Sequence, residues 1–231
     1  MQQDKAYSAT FLVMAVLFTV CLITSNLFAT KIFTIAGSIA LPAAVIIFPI
    51  SYILNDCLTE VWGYRRALLA IWIAFAMNFF VVVLGQVAVW LPSAPFWDGG
   101  PHFDYMFMMA PRVAFASLLA FLAGSTLNSL VLSKMKVATK GRNFGWRAIL
   151  SSLCGELLDS LIFMPIAFFG TPLKDLGKMM LFQVSFKVLY EIVILPVTSA
   201  VCRKVKASEG IDAYDKGISY NPFKITGDNA A

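Results

Sequence analysis

Six long runs of apolar residues, separated by short polar stretches, dominate the sequence. A helix needs about 20 such residues to cross the hydrocarbon core of a bilayer. The pattern therefore predicts an all-α membrane protein, with residues 1–231 forming a single integral membrane domain. Six transmembrane helices are expected near residues 8–33, 41–62, 67–91, 113–133, 146–169 and 180–202. Residues 203–231 are expected to form a poorly ordered cytoplasmic tail.

Composition and charge agree with this assignment. Hydrophobic residues make up 59% of the chain and charged residues only 13%, whereas soluble domains carry about 25% charged residues. With a cytoplasmic N-terminus, the outer loops hold few basic residues, namely Lys31, Arg112, Lys174 and Lys178. Most other lysines and arginines lie on the inner side, which predicts a multi-pass membrane protein with cytoplasmic termini. Because this bias explains the net charge of +5, no nucleic-acid partner is expected.

Ionisable side chains interrupt three of the apolar runs. A charged side chain at the bilayer centre costs roughly 2.5–3.5 kcal/mol on insertion scales, so such residues usually pair or serve a function. The six are Asp56 and Glu60 in helix two, Glu156 and Asp159 in helix five, and Lys187 and Glu191 in helix six. Five acids cannot all be neutralised by one base. The sequence therefore predicts protonated acids, a hydrated cavity, or a cationic or donor-rich ligand.

Helix two carries a broad polar stripe. Residues four apart share a helix face, and two such rows lie side by side here: Ser51, Asn55 and Thr59, and Tyr52, Asp56 and Glu60. Glu60 approaches the inner interface, where Arg65 and Arg66 follow. It is either part of the stripe's function or an ordinary charge that snorkels toward these arginines.

Helices five and six place charges at the depth of the membrane centre. Glu156 lies nine residues beyond Arg147, about 13 Å along the helix, and Asp159 falls on the same face. Lys187 and Glu191 are four residues apart on helix six. Lys187 is expected to reach across to Glu156 or Asp159, either as a purely structural ion pair or as part of a solute site.

The sequence also limits the functional class. It contains no HExxH or GxSxG motif, no Walker motif and no TVGYG-like filter, and its single histidine is His102. Neither a metal nor another cofactor is expected, and the four cysteines are expected to be packing residues. A carrier of a small polar solute fits better than an enzyme or a channel.

Five segments carry a resemblance to a known family. They are TSNLFATKI at 24–32, DCLTEVWGYRRA at 56–67, PRVAFASLLAFLAG at 111–124, FGWRAILSSLCGELLDSLIF at 144–163 and SFKVLYEIVILP at 185–196. Together they resemble the queuosine precursor transporters, earlier described as vitamin uptake proteins. The resemblance implies a six-helix inner-membrane importer of cyano- and aminomethyl-deazaguanine bases for salvage into tRNA. It leaves open a homodimer and a separate energising subunit.

The chemistry of such a base suits the polar face. A guanine-like edge presents two parallel N–H donors, which one carboxylate accepts together. We therefore expect Glu156 and Asp159 to recognise the base, with Asp56, Asn55, Lys187 and Glu191 lining the same cavity. In addition, Asn26 or Asn128 is expected to cap the cavity and Tyr52 to stack on the base.

Three alternatives stay open at this level. The solute is a different planar molecule, such as a vitamin or a purine; the chain is a non-transporting scaffold; or it is an enzyme that uses carboxylates alone. The long aromatic loop 92–112 is expected either to rest on the membrane surface, with Trp90 and Trp97 as anchors, or to act as a lid.

Overall fold

A computed structural model describes residues 7–28, 31–35, 39–108, 111–167, 169–170 and 172–222. Its helices are α1 (Ala9–Phe28), α2 (Phe48–Trp62), α3 (Tyr64–Val89), α4 (Gly100–Phe107), α5 (Pro111–Ala138), α6 (Phe144–Ala167) and α7 (Leu173–Glu209). Two short strands, β1 (Ile32–Ile35) and β2 (Ile39–Pro42), pair antiparallel between α1 and α2, and a 3₁₀ turn (Ala43–Ile46) follows them.

The expected fold class is confirmed. Within the described residues, six helices are long and apolar enough to cross a membrane: Ala9–Phe28, Ala43–Trp62, Tyr64–Val89, Phe115–Ala138, Phe144–Ala167 and Leu176–Glu209. The short helix α4 accounts for the seventh. The first span ends earlier than expected because the chain turns into the β1–β2 hairpin.

The last helix runs further than the sequence pattern indicated. It comprises 37 residues, about 55 Å at 1.5 Å per residue, which exceeds the ~30 Å hydrocarbon core. It ends at Gly210, which adopts the left-handed conformation (φ 64°) and donates its N–H to the Lys206 carbonyl. The tail expected from residue 203 therefore begins only after Glu209.

Apolar side chains face in two directions. One set packs α1, α2 and α3 together, with Phe18, Leu22, Leu58 and Ile71 buried. The other set points outward along the helices, and Val193 is 71% exposed. In a membrane this outer surface contacts lipid chains. Apolar side chains on the outside are therefore expected of a bundle that spans a membrane.

The backbones of α5 and α6 lie very close together at two glycines. A Cβ atom on Gly124 would lie 2.9 Å from the Gly155 carbonyl oxygen, and one on Gly155 would lie 2.8 Å from the Gly124 oxygen. Small residues allow such backbone contact between membrane helices. Since Gly155 immediately precedes Glu156, the contact fixes the height at which that carboxylate enters the bundle.

The segment between α3 and α5 folds back onto the end of α3. Gln86 Nε2 donates to the Phe107 carbonyl at 2.6 Å, and the Phe107 ring lies against Gly85. The loop therefore contains the ordered helix α4. Its role at the membrane surface or as a lid stays a prediction.

Candidate solute site and the charged end of the bundle

Side chains from α2, α6 and α7 meet halfway along the bundle. Glu156 lies 12 residues into the 24-residue helix α6, about 18 Å from its start. We call the group formed by Asp56, Glu156, Asp159, Glu191 and Lys187 the central carboxylate cluster. All five are buried, and none is more than 6% exposed.

Lys187 connects α7 to the acidic face of α6. Its Nζ lies 2.6 Å from Oε2 of Glu156 and 3.4 Å from Oδ2 of Asp159. Both carboxylates reach the same ammonium because a spacing of three residues puts them on one face of α6. The expectation that Lys187 crosses to this pair is thus confirmed in its geometry.

Asp56 extends into the cluster from α2, and its hydrogen-bond partner is a neutral side chain. Asn128, on α5, donates from Nδ2 to Asp56 Oδ1 at 2.7 Å, and both residues are almost completely buried. The charged group that acts most strongly on Asp56 is Glu191, from α7. Asp56 therefore faces another acid instead of a base.

Tyr52 lies among these carboxylates. Its side chain is 3% exposed, and its hydroxyl oxygen lies 3.0 Å from the position that a Cβ on Gly124 would occupy. Glu156, Asp159, Asp56 and Glu191 all interact electrostatically with the phenol. Thus the sequence correctly grouped Tyr52 with the four acids, although stacking on a base stays a prediction.

Several buried oxygens around the cluster have no hydrogen-bond partner among the described residues. They are Asn128 Oδ1, Glu191 Oε1, Ser152 Oγ and Ser160 Oγ. Buried polar atoms are normally paired within the protein or with ordered water. Since most of these atoms accept hydrogen bonds, the cluster is suited to a ligand that supplies N–H or O–H donors.

Two of the expected site residues lie elsewhere. Asn55 turns toward α5, where it donates to the Ser125 carbonyl at 3.2 Å and accepts from Ser129 Oγ at 3.1 Å. Asn26 accepts from Ser117 at 2.8 Å. Ser117 is 11 residues before Asn128 on α5, about 16 Å along the helix. Of the two candidate capping amides, only Asn128 therefore contacts the cluster.

Glu60 is not a snorkelling surface charge, and that interpretation of the sequence is wrong. It is 1% exposed, and Arg147 donates to both of its carboxylate oxygens at 2.6 and 3.0 Å. Lys206 Nζ lies 2.7 Å from Oε1, and Lys136 donates to the Glu60 backbone carbonyl. Such a bidentate arginine pair combines charge with fixed geometry. We call Glu60, Arg147, Lys136, Lys206 and Asp212 the Glu60 clamp.

This pairing changes the charge balance of the buried acids. Glu60 is matched by cations that the sequence pattern assigned to the inner surface of the membrane. Four carboxylates and one ammonium remain in the central carboxylate cluster, so the excess of acid is smaller than the sequence indicated but persists.

The chain after α7 packs against the same end of the bundle, which corrects the expectation of a poorly ordered tail for residues 203–222. The same expectation for residues 223–231 lies outside the described residues. We call residues 211–222 the C-terminal strap. Ala213 donates its N–H to the Val61 carbonyl at 3.0 Å, and Trp72 Nε1 donates to the Pro222 carbonyl at 2.8 Å. The strap thus connects to both α2 and α3.

Two aspartates fix the strap by charge-assisted contacts. Asp215 Oδ2 accepts the Tyr64 N–H at 2.8 Å and also the Ser133 hydroxyl. Asp212 pairs with Lys136 and with Lys206, the latter at 2.8 Å. Burial alone would raise the pKa of Asp212, but hydrogen bonds from these lysines lower it below its usual value. The strap is therefore bound more firmly when Asp212 is ionised.

Comparison with known proteins gives the class of the protein. A family model described as "Putative vitamin uptake transporter" matches residues 42–201. The chain belongs to this family. Over 117 residues the chain is also 29% identical to a "Probable queuosine precursor transporter" of Bacillus subtilis (strain 168). That alignment covers 50% of this chain, which thus spans about half (51%) of the curated relative's length. No solved structure matches.

Family membership bears on two of the alternatives. Because the family is described as one of uptake transporters, membership argues against an enzyme and a scaffold, and the six long apolar helices among the described residues are typical of a multi-pass membrane protein. The matched region contains α2, α3, α5 and α6 and most of α7, so it includes every member of the central carboxylate cluster.

Proposed function

We propose that this protein imports queuosine precursors, the cyano- and aminomethyl-deazaguanine bases, across the cell inner membrane for salvage into tRNA. Family membership and the name of the Bacillus subtilis relative support the solute class. The observation on which the proposal chiefly rests is the surplus of buried acceptor oxygens in the central carboxylate cluster. The distribution of basic residues supports a cytoplasmic position of the Glu60 clamp.

A deazaguanine base offers the groups that this cluster lacks. Its guanine-like edge carries a ring N–H beside an exocyclic amino group, and a carboxylate accepts both together. One ammonium, that of Lys187, leaves acceptor positions on Glu156 and Asp159, because each carboxylate has about four. Aminomethyl precursors also bring a positive charge to a cluster with excess acid.

Glu156→Gln tests this assignment. The change keeps the size of the side chain but replaces one acceptor oxygen with a donor, which then opposes the donors of the base. The loss of a charged hydrogen bond of about 1.5–3 kcal/mol corresponds to roughly 10- to 100-fold weaker uptake. Uptake is measured as queuosine in tRNA, in cells that cannot make deazaguanines and receive low external precursor.

Glu209→Gln is the matched control, since it makes the same chemical change on the surface end of α7. It is expected to restore queuosine as well as the unchanged chain does. Both variants are first compared for amount in the membrane. Wild-type uptake by Glu156→Gln would remove Glu156 from the solute site.

The family description names a competing class of solute, namely vitamins. Competition distinguishes it from the proposed solute. Excess unlabelled deazaguanine is expected to block uptake of labelled precursor, whereas guanine and a panel of vitamins compete weakly. Half-maximal inhibition by one of the vitamins at a lower concentration than by unlabelled deazaguanine would assign the site to that vitamin.

A further inference from the structure

Asp56 and Glu191 form a subset of the central carboxylate cluster that has no base. Lys187 lies beside Glu156 and Asp159. Among the described residues, no lysine, arginine or histidine nitrogen lies within salt-bridge distance of Asp56 or Glu191. The direct partner of Asp56 is the Asn128 amide, which is neutral. The pair therefore needs another source of positive charge.

The groups that face this pair are acids, a phenol and a thiol. Asp56 interacts with Glu191 and Cys202 from α7 and with Glu60 on its own helix. Asp56 and Glu191 both act on Tyr52. Glu191 in turn interacts with Glu156 from α6 and lies beside Ser152. Lys187, one turn before Glu191, is directed to α6. Like charges in such proximity disfavour ionisation of both carboxyls.

Unpaired oxygens provide a second observation that does not depend on counting charges. Asn128 is fully buried and donates from Nδ2 to Asp56, but its Oδ1 has no donor among the described residues. Glu191 is 6% exposed, and its Oε1 likewise has no partner. A protonated carboxyl is a donor, which is the kind of group that both oxygens lack.

We propose that Asp56 and Glu191 together bind one proton and that the protein carries this proton with its solute, as a proton–solute symporter. This inference rests on the proposed function and supplies its driving force. The only bonds that change are O–H bonds: one carboxylate of the pair takes a proton from hydronium on one side, which leaves water, and gives the proton back to water on the other side. Accumulation then needs no ATP-hydrolysing subunit.

The test uses the full-length purified protein in liposomes with labelled cyano-deazaguanine, which is uncharged. The interior is set one pH unit above the exterior, with the membrane potential clamped. One proton per neutral solute sustains about tenfold accumulation under these conditions. A protonophore is expected to abolish it. A sodium gradient at equal pH is expected to have no effect.

Two variants, Asp56→Asn and Glu191→Gln, test whether this pair binds the transported proton. Both are isosteric and remove a charge that lacks a base, so both are expected to fold, which size-exclusion chromatography checks. Each is expected to show slower entry that stops at equal concentrations inside and outside. The Glu209→Gln control keeps the tenfold gradient.

Each other outcome overturns a different statement. Equilibration without accumulation by the unchanged protein refutes coupling but leaves the proposed function intact. Accumulation driven by sodium replaces the proton with sodium. Tenfold accumulation by both variants removes the proton from this pair. Failure of the unchanged protein to move any cyano-deazaguanine refutes the proposed function, and the coupling with it.

Discussion

The Glu60 clamp and the central carboxylate cluster are both charged groups built around buried carboxylates, yet they are balanced in opposite ways. In the Glu60 clamp two carboxylates, Glu60 and Asp212, contact three cations. In the central carboxylate cluster four carboxylates share one ammonium. Matched charges with bidentate geometry fix helices in place, whereas an unmatched excess of buried acid needs protons, water or a ligand. The comparison is what we expect if the Glu60 clamp is structural and the central carboxylate cluster is the proposed solute site.

Replacement of Glu60 tests the comparison most strongly. Glu60→Gln leaves Arg147, Lys206 and Lys136 buried around a neutral amide, and breaking a buried ion pair costs about 3–5 kcal/mol. We expect a much lower midpoint of thermal unfolding in detergent, measured by fluorescence-detected size exclusion.

Glu191→Gln is the matched control for stability. It removes an acid that has no base among the described residues, so the midpoint is expected to stay the same or to rise slightly. Equal destabilisation by the two substitutions would contradict the division of the buried charges into two classes.

Replacement of Lys187 is expected to have an intermediate effect. Lys187→Met leaves Glu156 and Asp159 without their base, although protonation of the acids limits the loss to about 1–3 kcal/mol. The double variant with Glu156→Gln is expected to recover part of this stability, since the two residues are in direct contact. Thermal midpoints of the four combinations measure the coupling, and strictly additive effects would show that the 2.6 Å pair contributes nothing.

The C-terminal strap is expected to loosen after a smaller change. Asp215→Asn weakens the hydrogen bonds from the Tyr64 N–H and the Ser133 hydroxyl, by about 1–2 kcal/mol. Limited trypsin digestion should then cleave faster at Lys216, inside the strap. Asp98→Asn, in the exposed loop before α4, is the control and should leave the rate unchanged. An unchanged rate in Asp215→Asn would mean that this residue does not hold the strap.

A lower pH is expected to weaken the contacts of the C-terminal strap slightly, because Asp212 becomes protonated. Its pKa is lower in the folded protein than in the unfolded chain, because hydrogen bonds from Lys136 and Lys206 outweigh the opposing effect of burial. The stabilisation is therefore complete above about pH 4 and is lost as the pH falls through the folded-state pKa. Its side chain is 45% exposed, so the effect stays within about 1 kcal/mol. Asp212→Asn should remove this part of the acid sensitivity of the strap, measured as the protection of the Ala213 N–H from hydrogen exchange.

The sequence predicted the central carboxylate cluster better than the Glu60 clamp for a physical reason. Spacings of three and four residues report directly which side chains share a helix face, and this rule correctly joined Glu156 to Asp159. Helix α6 carries an acid-rich face, and Lys187 is the one base in the predicted span 180–202. The sequence therefore predicted that Lys187 reaches toward the acids of α6. The same periodicity could not show that Asn55 turns toward α5, because adjacent rows of a polar stripe look alike in sequence.

The Glu60 clamp depends on contacts that no local spacing reveals. Arg147 lies 87 residues from Glu60 along the chain, and Lys206 lies 146 residues away. Both are near helix ends, where a basic residue is ordinarily solvated, so sequence reasoning assigned them to the inner surface. The one available signal was Glu60 itself, an acid at the edge of an apolar run with several bases expected on the same side of the membrane.

The backbone contact between Gly124 and Gly155 limits how such a carrier can move. Sliding of one helix past the other would bring a neighbouring side chain against this backbone contact, which has no room for a Cβ atom. We therefore expect α5 and α6 to move together if the protein transports a solute. Exposure of the solute first to one side and then to the other would then depend on α2 and α7, which hold Asp56 and Glu191.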